Sequence, residues 1–130
     1  MRTYSHVVSP LQRWWLSLVK TWRERNSAAV SCREMLALYR KVAAQHPGLV
    51  GTALYREVVA ARTGNDAAMA DAILRRAAES FSTWPADRDL NFRDVVHYLA
   101  FSEFMSTHPE SRWVQADMRR IVQASIPHDL

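Results

Sequence analysis

The side chains best suited to chemistry are five histidines and one cysteine, scattered along a chain of 130 residues. Two histidines, His46 and His108, directly precede prolines, where helices usually end. Asp94 and His97 are three residues apart, which places both on one helical face and supplies half of a carboxylate–histidine metal site. No second Asp/Glu-x-x-His pair completes it. We therefore expect a structural hydrogen bond between Asp94 and His97, and no metal.

Cys32 is the other candidate for reactivity. Ser31 and Glu34 have the spacing of a capping box, so the pattern predicts a helix that begins at Ser31, with the thiol in its first turn beside Arg33. This environment can lower the pKa of a thiol. The chain has no second cysteine to resolve an oxidised thiol and no histidine nearby, so we interpret Cys32 as unreactive. The sequence thus predicts no catalytic residues, no cofactor and no enzymatic activity.

Helices must position these residues, and an internal repeat is the clearest sign of them. The octet ALYRKVAA at residues 37–44 returns as ALYREVVA at residues 53–60, with a Pro47-Gly48 break between the copies. Each copy predicts a helix, so the centre of the chain is a helix–break–helix unit with two similar Leu/Tyr/Arg faces.

Capping residues and prolines divide the whole chain into six predicted helices. Ser9-Pro10 is an N-cap followed by proline at the first helical position, and the helix it opens ends near Asn26-Ser27. The second helix stops by His46. The later helices are predicted from about Thr52 to Thr63, after Asp66 to about Phe81, after Asn91 to His108, and from Trp113 to before Pro127. With no period-two alternation, the fold class is all-α, a single-domain bundle of five to six helices with short turns.

The sequence also suggests a division into three parts. Residues 1–30 form a tryptophan-rich basic helix and a linker, residues 31–126 the bundle core, and residues 127–130 a short tail. The fifth predicted helix is apolar around much of its circumference, so we expect it at the centre of the bundle.

Composition narrows the class of protein. Seventeen Lys+Arg against thirteen Asp+Glu give a formal net charge of +4, which permits an acidic partner without specifying one. A lone cysteine suits a reducing compartment. No stretch approaches eighteen apolar residues, so we expect no transmembrane segment, and the start of the chain lacks the apolar run of a secretory signal. The expected location is the cytoplasm.

The predicted N-terminal helix is both basic and aromatic. Its apolar face carries Trp14, Trp15, Leu18 and Trp22, and arginines and a lysine flank them. The tryptophans could dock on the protein's own bundle, fill the groove of a partner or a second copy, or lie on an anionic membrane. We expect a protein partner or self-association rather than membrane-surface contact.

The same region, LQRWWLSLVKTWRER, resembles the start of the small arginine-rich, YjiS-like bacterial proteins. The resemblance spans residues 11–36 and includes the beginning of the Glu-Met-Leu-Ala-Leu run that starts at Glu34. That family continues with an acidic, glycine-containing ending, whereas Tyr39-Arg40-Lys41 follows here. The resemblance implies an association with RNA-linked regulation.

The two Leu-Tyr-Arg triplets resemble the signature of the LYR-motif proteins, helical adaptors that bind acylated carrier protein. In that family the triplet lies near the start of the first helix, whereas here it occurs twice and deep in the chain. We interpret Tyr39 and Tyr55 as residues at the edge of the core whose faces are candidate partner contacts, with Arg40 and Arg56 on the surface.

Nucleic-acid binding is the second interpretation of the helix–break–helix unit. Residues 32–63 resemble a helix-turn-helix in length and in their glycine-containing turn. The paired Arg, Asn or Gln side chains that usually contact bases near the start of the second helix are missing. The candidate anion or nucleic-acid contacts are Arg40, Arg56, Arg88 and Arg93. The function predicted first is therefore that of a non-catalytic helical adaptor, with a nucleic-acid-binding regulator as the alternative.

Overall fold

The computed structural model describes residues 9–80, 90–110 and 115–130, which form five α-helices and contain no strand. The helices are α1 (Pro10–Gln45), α2 (Gly51–Arg62), α3 (Ala67–Ser80), α4 (Phe92–Thr107) and α5 (Gln115–Ser125). The all-α prediction is confirmed. None of these described helices is both long enough and apolar enough to cross a bilayer.

The first helix begins where the sequence predicts. The Ser9 side chain accepts a hydrogen bond from the backbone N–H of Gln12, and the Gln12 side chain accepts one from the backbone N–H of Ser9, both at 3.1 Å. Pro10 occupies the first turn, where its missing N–H leaves no bond unmade. This reciprocal pair satisfies two of the donors that a helix start leaves open.

The predicted break at residues 26–30 is wrong, because α1 runs through it as one helix of 36 residues. Glu24, Ala28 and Cys32 are buried at successive four-residue steps, so contact with the bundle continues on one side of the helix across the predicted linker. Ser31 therefore lies inside a helix, where the neighbouring N–H groups already have intrahelical partners and need no cap. The division into three parts stays a prediction, although no linker separates the first two.

The core forms around α4, as predicted from its apolar circumference. This helix contacts each of the other four, and Val95, Val96 and Phe104 on it are among the most buried side chains. Its start is also as predicted, since the Asn91 side chain accepts a hydrogen bond from the backbone N–H of Asp94 at 2.9 Å. The repeated octets lie on α1 and α2, which pack against each other across the turn.

The end of α2 requires backbone that favours glycine. Gly64 has φ +80° and Asn65 has φ +63°, and the N–H of Asn65 returns to the carbonyl of Ala60 at 2.6 Å. Asp66 then caps α3 by accepting from the N–H of Met69 at 3.0 Å. Both predicted helix boundaries are confirmed.

Candidate interaction surface

The N-terminal part of α1 carries an exposed apolar surface. Trp14, Trp15 and Trp22 are 59, 61 and 66% exposed, and the neighbouring leucines are exposed as well. Large apolar side chains in a contiguous row are a common mark of an interaction surface. We call this row the aromatic stripe; it consists of Leu11, Trp14, Trp15, Leu18 and Trp22.

The direction of the stripe explains its exposure. Successive residues of an α-helix are rotated by about 100°, which places Leu11, Trp15, Leu18 and Trp22 between about a quarter and somewhat under a half of a turn away from the line that faces the bundle, and Trp14 about a sixth of a turn away. That line contains Ala28, Met35 and Val42, and its continuation towards the N-terminus contains Ser17 and Thr21. The side of α1 that could contact its own bundle is therefore polar in this part. In the structure, the tryptophans of the stripe therefore do not dock on the protein's own core.

Two basic residues of this part, Arg13 and Lys20, lie away from the stripe. Arg13 and Lys20 are on nearly the opposite side of the helix, about half a turn from the line through Leu11 and Leu18. Lys20 lies 3.9 Å from Glu24, whose own side chain is only 7% exposed at the point where α1 enters the bundle. A partner that covers the stripe therefore meets aromatic and aliphatic side chains rather than these two cations.

The tyrosines of the repeat lie inside the fold. The ring of Tyr39 lies 4.5 Å from that of Phe92 and 6.5 Å from that of Tyr55, measured between centroids. The Tyr55 and Phe92 rings are 5.8 Å apart, so the three rings form one cluster that joins α1, α2 and α4. Tyr55 is buried and Tyr39 is half-buried. Because the rings pack against one another, we leave both tyrosines out of the aromatic interaction surface, and their role as partner contacts stays a prediction.

Two of the four arginines that are candidate nucleic-acid contacts instead contact other side chains of the fold. The Arg56 guanidinium forms an ion pair with Asp71 of α3 at 2.7 Å. Arg93 is half-buried and contacts the ring of His128. Arg40 is exposed on α1. Arg88 lies outside the described residues. Of the three described arginines, Arg56 and Arg93 thus have partners within the fold, and Arg40 lies on the surface.

A second arginine of the helix–break–helix unit links three helices. Arg62 of α2 donates to both carboxylate oxygens of Glu103 on α4, at 2.7 and 3.1 Å. The Glu34 carboxylate of α1 lies 3.7 Å from the same guanidinium. The hydrogen bond with Glu103 is the main cause of a raised pKa of Arg62. Arg62 therefore links α1, α2 and α4 and stabilises the fold.

The predicted reactive residues are buried. Asp94 and His97 are 7 and 5% exposed, and burial, followed by the charge of Arg119, lowers the pKa of His97. In the described ranges no three His, Cys, Asp or Glu side chains are grouped as a metal site requires. Cys32 is fully buried in the middle of α1, and burial raises its thiol pKa to about 12. The predicted position in a first turn, with its lower pKa, is therefore wrong.

Sequence reasoning missed two features that organise the fold. Phe92 opens α4 directly after its cap, and only the packing of α1 and α2 shows that it completes the tyrosine cluster. The Arg62–Glu103 pair joins residues 41 apart, for which local patterns give no signal.

Comparison with known protein families, with curated proteins and with solved structures finds no match to this chain.

Proposed function

We propose that this protein is a non-catalytic interaction protein, an adaptor that presents the aromatic stripe of α1 to a protein partner. The observation that carries the proposal is the exposure of Trp14, Trp15 and Trp22 along one side of a described helix. Burying a large apolar side chain stabilises a complex by about 1.5–3 kcal/mol before ordering costs. Three adjacent tryptophans left in water are therefore a strong reason for association.

The chemistry of the stripe favours a protein as the partner. Tryptophan is enriched among the residues that dominate binding at protein interfaces, because it combines a large apolar surface with few rotatable bonds. An amphipathic helix with anchors at three- and four-residue spacing is also one of the common ways in which a helix fills a groove. Arg13 and Lys20, on the far side, would keep such a surface soluble until it is covered.

The test is affinity purification of the full tagged chain from its native host, compared with the double variant Trp15→Ala/Trp22→Ala. The matched control is Val50→Ala/Met69→Ala, which removes two exposed apolar side chains far from the stripe along the chain. We expect a stoichiometric protein partner with the wild type and the control, and its loss with the tryptophan variant. The complex should survive an increase in salt, because the contact is apolar.

Two results would contradict the proposal. One is recovery of the same proteins with the tryptophan variant. The other is recovery of nucleic acid with every variant, with binding that weakens steeply as salt rises, because release of counterions from phosphates makes nucleic-acid binding strongly salt-dependent. The second result would favour the regulatory alternative and direct attention to Arg40.

A further inference from the structure

The stripe belongs to a segment, residues 11–22, whose sequence of residue types is nearly the same in both directions. From the outside inwards, residues 11 and 22 are apolar, 12 and 21 are polar, 13 and 20 are basic, and 14 and 19 are apolar, as are 15 and 18. Only the central pair departs, with Leu16 beside Ser17. The pattern has its centre between these two residues. A segment of this kind matches a second copy of itself that runs in the opposite direction.

The spacing of the exposed residues supplies a seam for such a contact. Leu11, Trp15, Leu18 and Trp22 follow one another at steps of four, three and four, which is the spacing that keeps side chains on the contact line between two helices. All four are exposed in the structure. The seam ends at residue 25, which is an arginine, just as α1 enters its own bundle.

We propose that the occupant of the aromatic stripe is a second copy of this chain, bound antiparallel about a two-fold axis between residues 16 and 17. This inference rests on the proposed function and names its partner. In this arrangement Leu11 packs against the partner's Trp22, and Trp15 packs against the partner's Leu18. Each layer then combines one large and one smaller side chain, which fills space better than two tryptophans or two leucines facing each other.

The surface area and the charges both fit a dimer. If all of it were covered, the exposed part of the stripe would bury at most roughly 700 Å² per copy, of the order of the roughly 800 Å² per partner of a standard interface. Arg13 and Lys20 lie about half a turn from the seam, so the like charges of two copies point away from each other. A two-fold contact uses the same patch on both copies and closes on itself, so it produces a dimer rather than a filament.

The described part of the fold leaves room for this contact. The buried positions of α1 begin at Glu24, so residues 11–22 extend past the part of the helix that packs on the bundle. In the antiparallel pair the two bundles begin about 11 Å on either side of the axis, at 1.5 Å per residue. They therefore lie at opposite ends of the paired helices. A parallel pair would instead place the two bundles at the same end and stack Trp15 on the partner's Trp15.

The first test is sedimentation equilibrium of the full chain. We expect the wild type and the Val50→Ala/Met69→Ala control to have twice the mass of the 14.9 kDa chain. For Trp15→Ala/Trp22→Ala we expect a dissociation constant at least roughly 30-fold higher, the effect of losing one interface hot spot. Circular dichroism checks that the helices persist. A monomeric wild type at tens of micromolar, or an unchanged dimer in the tryptophan variant, would overturn the inference.

The second test determines orientation by disulfide cross-linking in a Cys32→Ala background. The Leu11→Cys and Trp22→Cys chains are oxidised separately and as a mixture. An antiparallel pair cross-links in the mixture, because residue 11 faces the partner's residue 22, whereas identical positions lie about 16 Å apart along the axis. Efficient cross-linking of Leu11→Cys with itself would show a parallel pair and overturn the proposed symmetry.

The same variants separate this inference from the proposed function. If the chain is monomeric but the tryptophan variant still loses a different protein partner, the second copy is wrong and the interaction function stands. If the monomer sediments with vesicles of anionic phospholipid only when its tryptophans are present, both are wrong and the stripe binds a lipid surface. A wild-type dimer that the tryptophan variant abolishes supports both.

Discussion

At the scale of single residues, Cys32 shows how position within a helix decides the properties of a thiol. Its neighbours along the sequence are those of a helix start, but residue 32 lies in the interior of α1 and is fully buried. Burial disfavours the thiolate and raises the pKa to about 12, with a further contribution from the charge of Glu103. The thiol therefore acts as a small apolar core side chain.

We expect Cys32 to resist alkylation in the folded protein. With iodoacetamide at about pH 8, modification should be at least roughly 100-fold slower in buffer than in concentrated urea, because the thiolate is scarce and the sulfur is covered. Mass spectrometry gives the extent of labelling, and the absence of any other cysteine makes the adduct unambiguous. Equal rates in the two conditions would contradict the buried position.

His97 should make stability depend on pH. Its pKa in the folded protein is lowered, so the unfolded chain binds more protons once the pH falls below the ordinary value of 6.5. The free energy of unfolding should therefore fall as the pH decreases from about 7 to about 5, and His97→Gln should flatten this slope. Urea titrations followed by circular dichroism measure it. The control is His46→Gln, at an exposed position, which should keep the wild-type slope.

At the scale of helices, the tyrosine cluster and the aromatic stripe have opposite roles although both are aromatic. Phe92 is 2% exposed and joins three helices through Tyr39 and Tyr55, whereas the tryptophans of the stripe are exposed. Aromatic content alone does not separate these roles. The distinction depends on which side of each helix faces the bundle.

Substitutions in the two groups should therefore differ in their effect on stability. Phe92→Ala should lower the free energy of unfolding by about 3–5 kcal/mol, because it leaves a cavity between helices. Trp15→Ala should change it by less than about 0.5 kcal/mol. Urea unfolding at a protein concentration well below the dissociation constant of the dimer gives both values without a contribution from association. A large loss for Trp15→Ala under these conditions would mean that the stripe packs on its own bundle.

The ion pair between α2 and α4 offers a matched comparison. Glu103→Gln should cost about 1–2 kcal/mol, because it weakens two charge-assisted hydrogen bonds to a guanidinium that is only 23% exposed. Asp71→Asn removes the charge from the exposed pair with Arg56 and should cost less than about 0.5 kcal/mol. Thermal and urea unfolding of both variants measure the difference. Equal costs would show that burial adds nothing to the Arg62 pair.

The helices themselves differ in how far they could be predicted from the sequence. The starts at Ser9, Asp66 and Asn91 were predictable because a short polar side chain before an apolar run has a local use, the capping of open N–H groups. Ser31 has the same local pattern, but it lies inside α1, where the neighbouring N–H groups already have partners and need no cap. Whether residues 26–31 stay helical depends on the burial of Ala28 and Cys32, which is a tertiary property.

At the scale of the molecule, the all-α class and the central position of α4 could be predicted, because they depend on periodicity. The aromatic stripe was recognised as a candidate surface, but its exposure could not be predicted. Exposure depends on the angle between the stripe and the bundle-facing line, and this angle has meaning only once α1 is known to be continuous. The interior place of Tyr55 likewise required the packing of three helices.

Local stability should vary along α1. Residues 13–23 precede the buried positions of α1, whereas residues 28–42 contact the core. In the monomer, hydrogen exchange should therefore be markedly faster for amides of the first segment, because opening them disrupts few tertiary contacts. Exchange measured by mass spectrometry on the Trp15→Ala/Trp22→Ala chain tests this. Equal protection of both segments would contradict it.

The unbroken course of α1 has one more consequence, which concerns insertions and deletions. Because no flexible joint separates the tryptophans from the bundle, the direction in which they face is determined by the number of residues between them and Ala28. One alanine added at residues 25–27 would rotate the whole row by about 100° and bring it onto the bundle-facing line. The number of residues in this short stretch therefore determines the binding surface as much as the side chains that form it.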